Sequence, residues 1–129
     1  IMNNEQKEML LKLQQAELDG VVIYQKLAEL EELKDIKDQL LEMAADEGRH
    51  ASLIRSYTQE VLKPSSKKAE ETIKLFNSVG KVKTFEMMSE GELKGGPLYE
   101  EIGKHFEKLK DFAKDEVKHG NMLKGFISR

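Results

Sequence analysis

The sequence predicts an all-α protein: a four-helix bundle with a long crossover that carries a short extra helix. Three observations lead there. Glu, Lys, Leu and Ala, all strong helix formers, dominate the 129 residues, and only two prolines occur, Pro64 and Pro97. Apolar residues recur at steps of three and four through four long segments. The stretch 63–80 between the second and third of these is far longer than a hairpin turn, as a crossover returning along a bundle requires. One domain over residues 3–128 takes in all of it, and a chain of this length can bury a single core.

The first helix is expected over residues 4–33, with Leu10, Leu13, Val21, Tyr24 and Leu27 on one face. A short break near Lys34-Asp35 leads to a second helix over 36–62, which Lys63-Pro64 ends. Ser65 or Ser66 is placed to cap the next helix. Residues 67–79 read as that helix, short and amphipathic, carrying Ile73, Phe76 and Val79 and stopped by Gly80. A third long helix is expected over 81–105 and a fourth over 106–127. Inside the third, Gly95-Gly96-Pro97 predicts a kink or a break, because proline removes a backbone bond and crowds the Leu93 carbonyl.

Each helix has a core-facing row, and each row is interrupted by a glutamate near its middle. The first row is Leu10, Leu13, Glu17, Val21, Tyr24, Leu27. The second is Ile36, Leu40, Met43, Glu47, His50, Ile54, Tyr57, Val61. Phe85, Met88, Glu92, Gly95, Tyr99, Ile102 and Phe106 form the third, and Leu109, Phe112, Glu116, His119, Leu123 and Phe126 the fourth. A buried, unpaired carboxylate costs several kcal/mol, so four of them converging on one core need compensation. Two divalent cations would provide it. Two glutamates plus two Glu-x-x-His pairs, one contribution per helix, is the di-metal carboxylate arrangement of helical bundles.

The spacing has a mechanical basis. Residues three apart share a helix face, so Glu47 and His50 can reach one ion, as can Glu116 and His119. Either carboxylate can extend its second oxygen to the other ion, leaving Glu17 and Glu92 as terminal ligands. Asp46 and Asp115 each precede a motif glutamate and are candidates to hold the outer ring nitrogens of His119 and His50. Tyr24 and Tyr99 each lie seven residues after Glu17 and Glu92, and their phenols are expected to lean back toward those carboxylates. If the expected kink shifts the third helix, Glu90 or Glu86 could replace Glu92, and the glycines could leave room for a small ligand. His105 has no such companion and reads as a surface residue, as do Glu29, Glu31, Glu32, Glu42, Glu70, Glu71, Glu100, Glu101 and Glu107.

The two halves of the chain repeat each other. Glu17-Leu18-Asp19-Gly20 with Tyr24 parallels Glu92-Leu93-Lys94-Gly95 with Tyr99. Ala44, Asp46, Glu47, Arg49 and His50 parallel Ala113, Asp115, Glu116, Lys118 and His119.

Composition excludes several alternatives. The net charge is −3 with both signs interspersed, and no basic block suggests nucleic acid. No apolar run approaches the ~18–20 residues that span a bilayer. There is no cysteine, which rules out disulfides, Cys-bound zinc and iron–sulfur centres and leaves Glu, Asp and His as ligands. A cytoplasmic location is the default expectation.

With these residues in place, the chain resembles the rubrerythrin branch of the ferritin-like di-iron superfamily. It is especially similar to the ferritin-like domains that accompany vacuolar-type iron transporters. The carriers are Ala16-Glu17-Leu18 with Tyr24, Ala44-Ala45-Asp46-Glu47-Gly48-Arg49-His50, Gly91-Glu92-Leu93 with Tyr99, and Asp115-Glu116-Val117-Lys118-His119. The resemblance implies a ferritin-like bundle and two iron ions per chain, with manganese or mixed Fe/Mn compatible with the same ligands. It further implies Fe(II) oxidation coupled to reduction of dioxygen or hydrogen peroxide, as a ferroxidase or a peroxidase. The chain departs from the family pattern in two respects. Without cysteine there is no rubredoxin-type iron, so any electron donor is a separate protein. Gly95 stands where rubrerythrins carry a further carboxylate. The alternative role is iron handling without turnover, alongside a transporter or other partner. A homodimer, if formed, is expected to pair through the 67–79 helix.

Overall fold

The computed structural model describes residues 2–129. Among the described residues there are four α-helices and no strand: α1 (Asn4–Ala28), α2 (Lys37–Thr58), α3 (Lys67–Gly103) and α4 (Phe112–Ile127). Short 3-10 segments, Glu31–Ile36 and Glu107–Leu109, lead into α2 and α4. The chain divides into two compact units, Ile1–Glu71 and Thr72–Arg129. None of the helices among the described residues is long and apolar enough to cross a membrane.

The first unit is a helix pair, α1 with α2. A capping box starts α1: the Asn3 side chain accepts from the Gln6 N–H at 2.8 Å, and the Asn3 N–H donates to Gln6 Oε1 at 3.0 Å. The helix stops at Ala28 rather than at residue 33. Six residues of α-helix rotate by about 600°, which would turn Leu33 roughly 240° away from Leu27. Leaving the helix at Leu30 and tightening into a 3-10 turn returns Leu33 and Ile36 to the core, where both are buried.

α2 also ends early, at Thr58, where Gln59 takes a left-handed conformation and its N–H closes on the Arg55 carbonyl at 2.8 Å. Val61, expected on the core row, therefore lies outside the helix and is 72% exposed. Residues 59–66 run as a strap whose backbone lacks helical partners, and α1 supplies them. Gln14 Nε2 donates to the Glu60 carbonyl and Gln15 Nε2 to that of Lys63, both at 2.9 Å, while Asp19 Oδ1 accepts from the Ser65 N–H at 2.8 Å. The Thr58 hydroxyl donates to Gln14 Oε1 at 2.6 Å. This network explains why Gln14 and Asp19 are buried although neither is apolar. At the strap's end the Ser65 hydroxyl accepts from the Lys67 N–H at 3.2 Å, capping α3 as its position suggests.

α3 is interrupted once, at Gly80, whose φ of +86° with ψ of 177° is open essentially to glycine alone. The segment before it buries Ala69 and Phe76 and leaves Val79 43% exposed. The expected break at Gly95-Gly96-Pro97 does not occur, since Gly80 is the one non-helical residue within α3. Two glycines ahead of Pro97 leave the backbone without Cβ atoms to hold it, so small adjustments can relieve the crowding at the Leu93 carbonyl. The helix ends at Gly103, two residues before the expected 105, where a Cβ would stand 2.8 Å from Lys110 Cα.

In the second unit the C-terminal part of α3 pairs with α4, which starts at Phe112 rather than at residue 106. Phe106 and Leu109 are nevertheless buried, carried by the 3-10 turn. Phe85 packs on Phe126 with ring centroids 6.0 Å apart, and Tyr99 and Phe112 meet edge-to-face at 5.2 Å. Gly120 allows the closest approach in the pair. A Cβ there would sit 2.6 Å from Leu93, and the Ser89 hydroxyl donates to the Gly120 carbonyl at 2.8 Å.

Candidate metal centre

The first unit brings Glu17, Glu47 and His50 together. Glu17 comes from the middle of α1, and Glu47 and His50 from adjacent turns of α2. His50 is fully buried and Glu47 is 3% exposed. One ligand atom from each of the three lies within 4.8 Å of the others. His50 Nδ1 is 2.6 Å from Glu17 Oε1, within hydrogen-bond distance. The ring therefore turns Nδ1 toward the acidic cluster.

The second unit draws the same residue types from matching places: Glu92 on α3, and Glu116 with His119 on α4. His119 is fully buried and Glu116 is 5% exposed. Here too Nδ1 is the ring nitrogen facing the terminal carboxylate, with Glu92 Oε1 3.8 Å away. The Glu92 side chain is 11% exposed, against 9% for Glu17. Each unit thus holds two carboxylates and one imidazole in a nearly water-free setting, where charge without a counter-ion is costly.

The remaining residues singled out in the sequence divide between core and surface. Tyr24 and Tyr99 are both buried. Asp46 and Asp115 are half-buried, with Asp46 3.7 Å from the exposed Arg49 guanidinium. Glu86, Glu90 and His105 are exposed, as are all nine glutamates assigned to solvent. Because α3 keeps its register through Pro97, Glu92 and not Glu86 or Glu90 stands beside His119. The space expected at Gly95 is filled: a Cβ there would meet Glu116 Oε2 at 3.1 Å. Gly20 has the same relation to Glu47, with Cδ 3.3 Å from its ideal Cβ. Sequence reasoning paired Gly20 with Gly95 but assigned no role to Gly20, and the signal was already there, in a mid-helix glycine three residues after each lone glutamate.

A family model described as Rubrerythrin matches residues 8–127. The chain belongs to the rubrerythrin family. No curated protein and no solved structure matches it. Membership makes the fold all-α and ferritin-like, as the helical rows predict, and makes the chain a member of a di-iron carboxylate family. The donor set of this chain fits such a group. Carboxylate and imidazole are the ligands that iron and manganese accept, and softer metals find no thiolate here. At Gly20 and at Gly95 the missing side chain leaves a cradle in which a buried carboxylate lies against the facing helix, as a bound cation would need and a solvated acidic face would not.

Proposed function

We propose that this chain holds two iron ions through Glu17, Glu47, His50, Glu92, Glu116 and His119, and couples Fe(II) oxidation to reduction of dioxygen or hydrogen peroxide. The observation that carries the reading is the repeated half-site: in each unit a buried imidazole turns Nδ1 toward a glutamate on the neighbouring helix. Family membership over nearly the whole chain supports it.

In this reading Glu17 and Glu92 would each serve one ion, and Glu47 and Glu116 would be carboxylate ligands shared by the pair. His50 and His119 would each offer Nδ1, leaving the Nε2–H to donate to a further carboxylate. Such a partner fixes the ring and raises its basicity. Binding at Nδ1 requires that this nitrogen carry no proton and that the Glu17 carboxylate be ionised, so uptake of metal would release a proton to solvent. When bound, two ferrous ions would supply the two electrons that convert hydrogen peroxide and two protons into two waters. The surrounding burial limits side reactions with bulk water.

Anaerobic Fe(II) titration followed by addition of oxygen or peroxide, read by absorbance and metal analysis, tests this. The expected result is two irons per chain and oxidation by at least one oxidant. Saturation at one iron would refute the di-iron reading. Two irons without turnover, with a reductant supplied, would instead favour iron handling alongside a transporter or other partner.

A further inference from the structure

We propose that the first unit carries a binding site for a small monocarboxylate with an apolar body, in the cleft between α1, α2 and the strap. The cleft has a volume of about 180 Å³. Its apolar wall is Leu18 of α1, Ala51 of α2, and Val61 and Leu62 of the strap. Val61 is 72% exposed, so an apolar body lying over it would remove that surface from water.

The polar wall consists of Gln14, Ser52 and Arg55, and it offers donors in excess of acceptors. Among the described residues, no acceptor bonds the Arg55 guanidinium or the Ser52 hydroxyl, and both residues are exposed. Gln14 is 2% exposed. Its Oε1 accepts from Thr58 and one N–H of Nε2 donates to the Glu60 carbonyl, which leaves the second N–H of that amide. No carboxylate lines the cleft, so its charge is that of Arg55. A carboxylate supplies acceptors only, and its two oxygens match the planar guanidinium fork. Inorganic phosphate would use the donors and leave the apolar wall bare. A dry cavity of about 150 Å³ holds benzene, so this volume takes a body of about six carbons.

The duplicated ligand pattern does not by itself create the cleft. In the second unit the counterparts of Leu18 and Ala51 are Leu93 and Gly120. There the leucine fills the space, with Cγ and Cδ2 2.6 Å from where a Gly120 Cβ would stand. In the first unit the corresponding pair leaves it open, and the strap, fixed by Gln14, Gln15 and Asp19, adds a wall that the helices alone do not provide. Leu18, Gly48 and Ala51, all lining the cleft, directly follow Glu17, Glu47 and His50. A bound anion would therefore lie against the helical turns that carry the first half-site. The site stands whether or not those residues hold iron.

Titration of the full metal-free chain with hexanoate, followed by amide NMR, tests this, since no iron is then present for the carboxylate to bind. The expected result is saturable shifts at the amides lining the cleft, with a Kd of about 1 mM or tighter. Neutral hexanamide and inorganic phosphate should each bind about tenfold more weakly or worse, and Arg55→Gln should weaken hexanoate by a similar factor. Lys37→Gln, which removes the same charge from the exposed start of α2, should bind hexanoate like the parent. Shifts that do not saturate, or that spread over the surface, would overturn the site. Equal loss in Arg55→Gln and Lys37→Gln would overturn the role of Arg55, and hexanamide or phosphate binding as well as hexanoate would overturn the ligand class.

Discussion

Replacing Glu47 and Glu116 together with glutamine should stabilise the metal-free protein and remove its response to metal. In the first unit, ligand atoms of Glu17 and Glu47 lie within 4.8 Å of each other, and Glu47 is 3% exposed. At an effective dielectric of about 20, two unit charges at about 5 Å repel by roughly 3 kcal/mol. Glutamine keeps the shape of the side chain and one acceptor oxygen while removing the charge. Part of the relief is lost because hydrogen bonds to a carboxylate are stronger than those to an amide, by about 1 kcal/mol. The second unit, with Glu116 5% exposed and three residues before the fully buried His119, should behave similarly. A net gain of about 1–3 kcal/mol for the double variant corresponds to a melting temperature raised by roughly 3–10 °C for a domain of this size. Metal reverses the order. A ligand at a hundred times its Kd stabilises the parent by about 2.7 kcal/mol per site, and the variant gains nothing. Scanning calorimetry of both proteins, with and without Fe(II) under anaerobic conditions, reads both signs. A metal-free double variant melting well below the parent would identify these glutamates as structural hydrogen-bonders and refute the charge argument.

The same geometry sets the outcome of other substitutions. Glu17→Ala and Glu92→Ala should behave alike, each weakening one of two irons while peroxide turnover falls far more than iron content. If Glu92→Ala binds and turns over like the parent in metal analysis and peroxide assay, the matched roles of Glu17 and Glu92 are refuted. Gly80→Ala forces a side chain into a backbone conformation that costs about 1–3 kcal/mol, so the melting temperature should drop while metal stoichiometry is retained.

The parts of the fold governed by helical periodicity were legible in the sequence. Glu17, Glu47, His50, Glu92, Glu116 and His119 interrupt apolar rows, and each lies on the helix expected to carry it. The boundaries were less legible, because they depend on what the chain can bury beyond its periodic stretch. Leu33 and Ile36 continue the apolar composition of α1 but lie at the wrong angle for it, and only a turn buries them. Val61 continues the spacing of α2, yet Gln59 turns left-handed because α1 offers polar partners to an extended strap. Pro97 is a strong local signal for a break, and two glycines ahead of it let the helix continue. The cradles were half legible. The pairing of Gly20 with Gly95 is visible in sequence, but only a distance shows that a carboxylate fills the space.

The two halves solve one structural problem differently. Gln14 and Ser89 each lie three residues before the terminal glutamate, and both are buried polar residues. In the second unit the serine hydroxyl reaches the Gly120 carbonyl directly, because glycine lets α4 come close to Leu93 and Ser89. In the first unit the residue equivalent to Gly120 is Ala51, and Leu18 replaces Leu93. There the two line a small surface pocket together with Gln14. The longer glutamine reaches past them to Thr58 and to the strap carbonyl of Glu60. The strap of residues 59–66 that follows α2 needs such partners for its backbone. The duplicated pattern therefore holds at the positions that face the carboxylates and diverges at the positions that face the connections. That division is what a shared chemical demand on both halves, combined with unequal linkers, would produce.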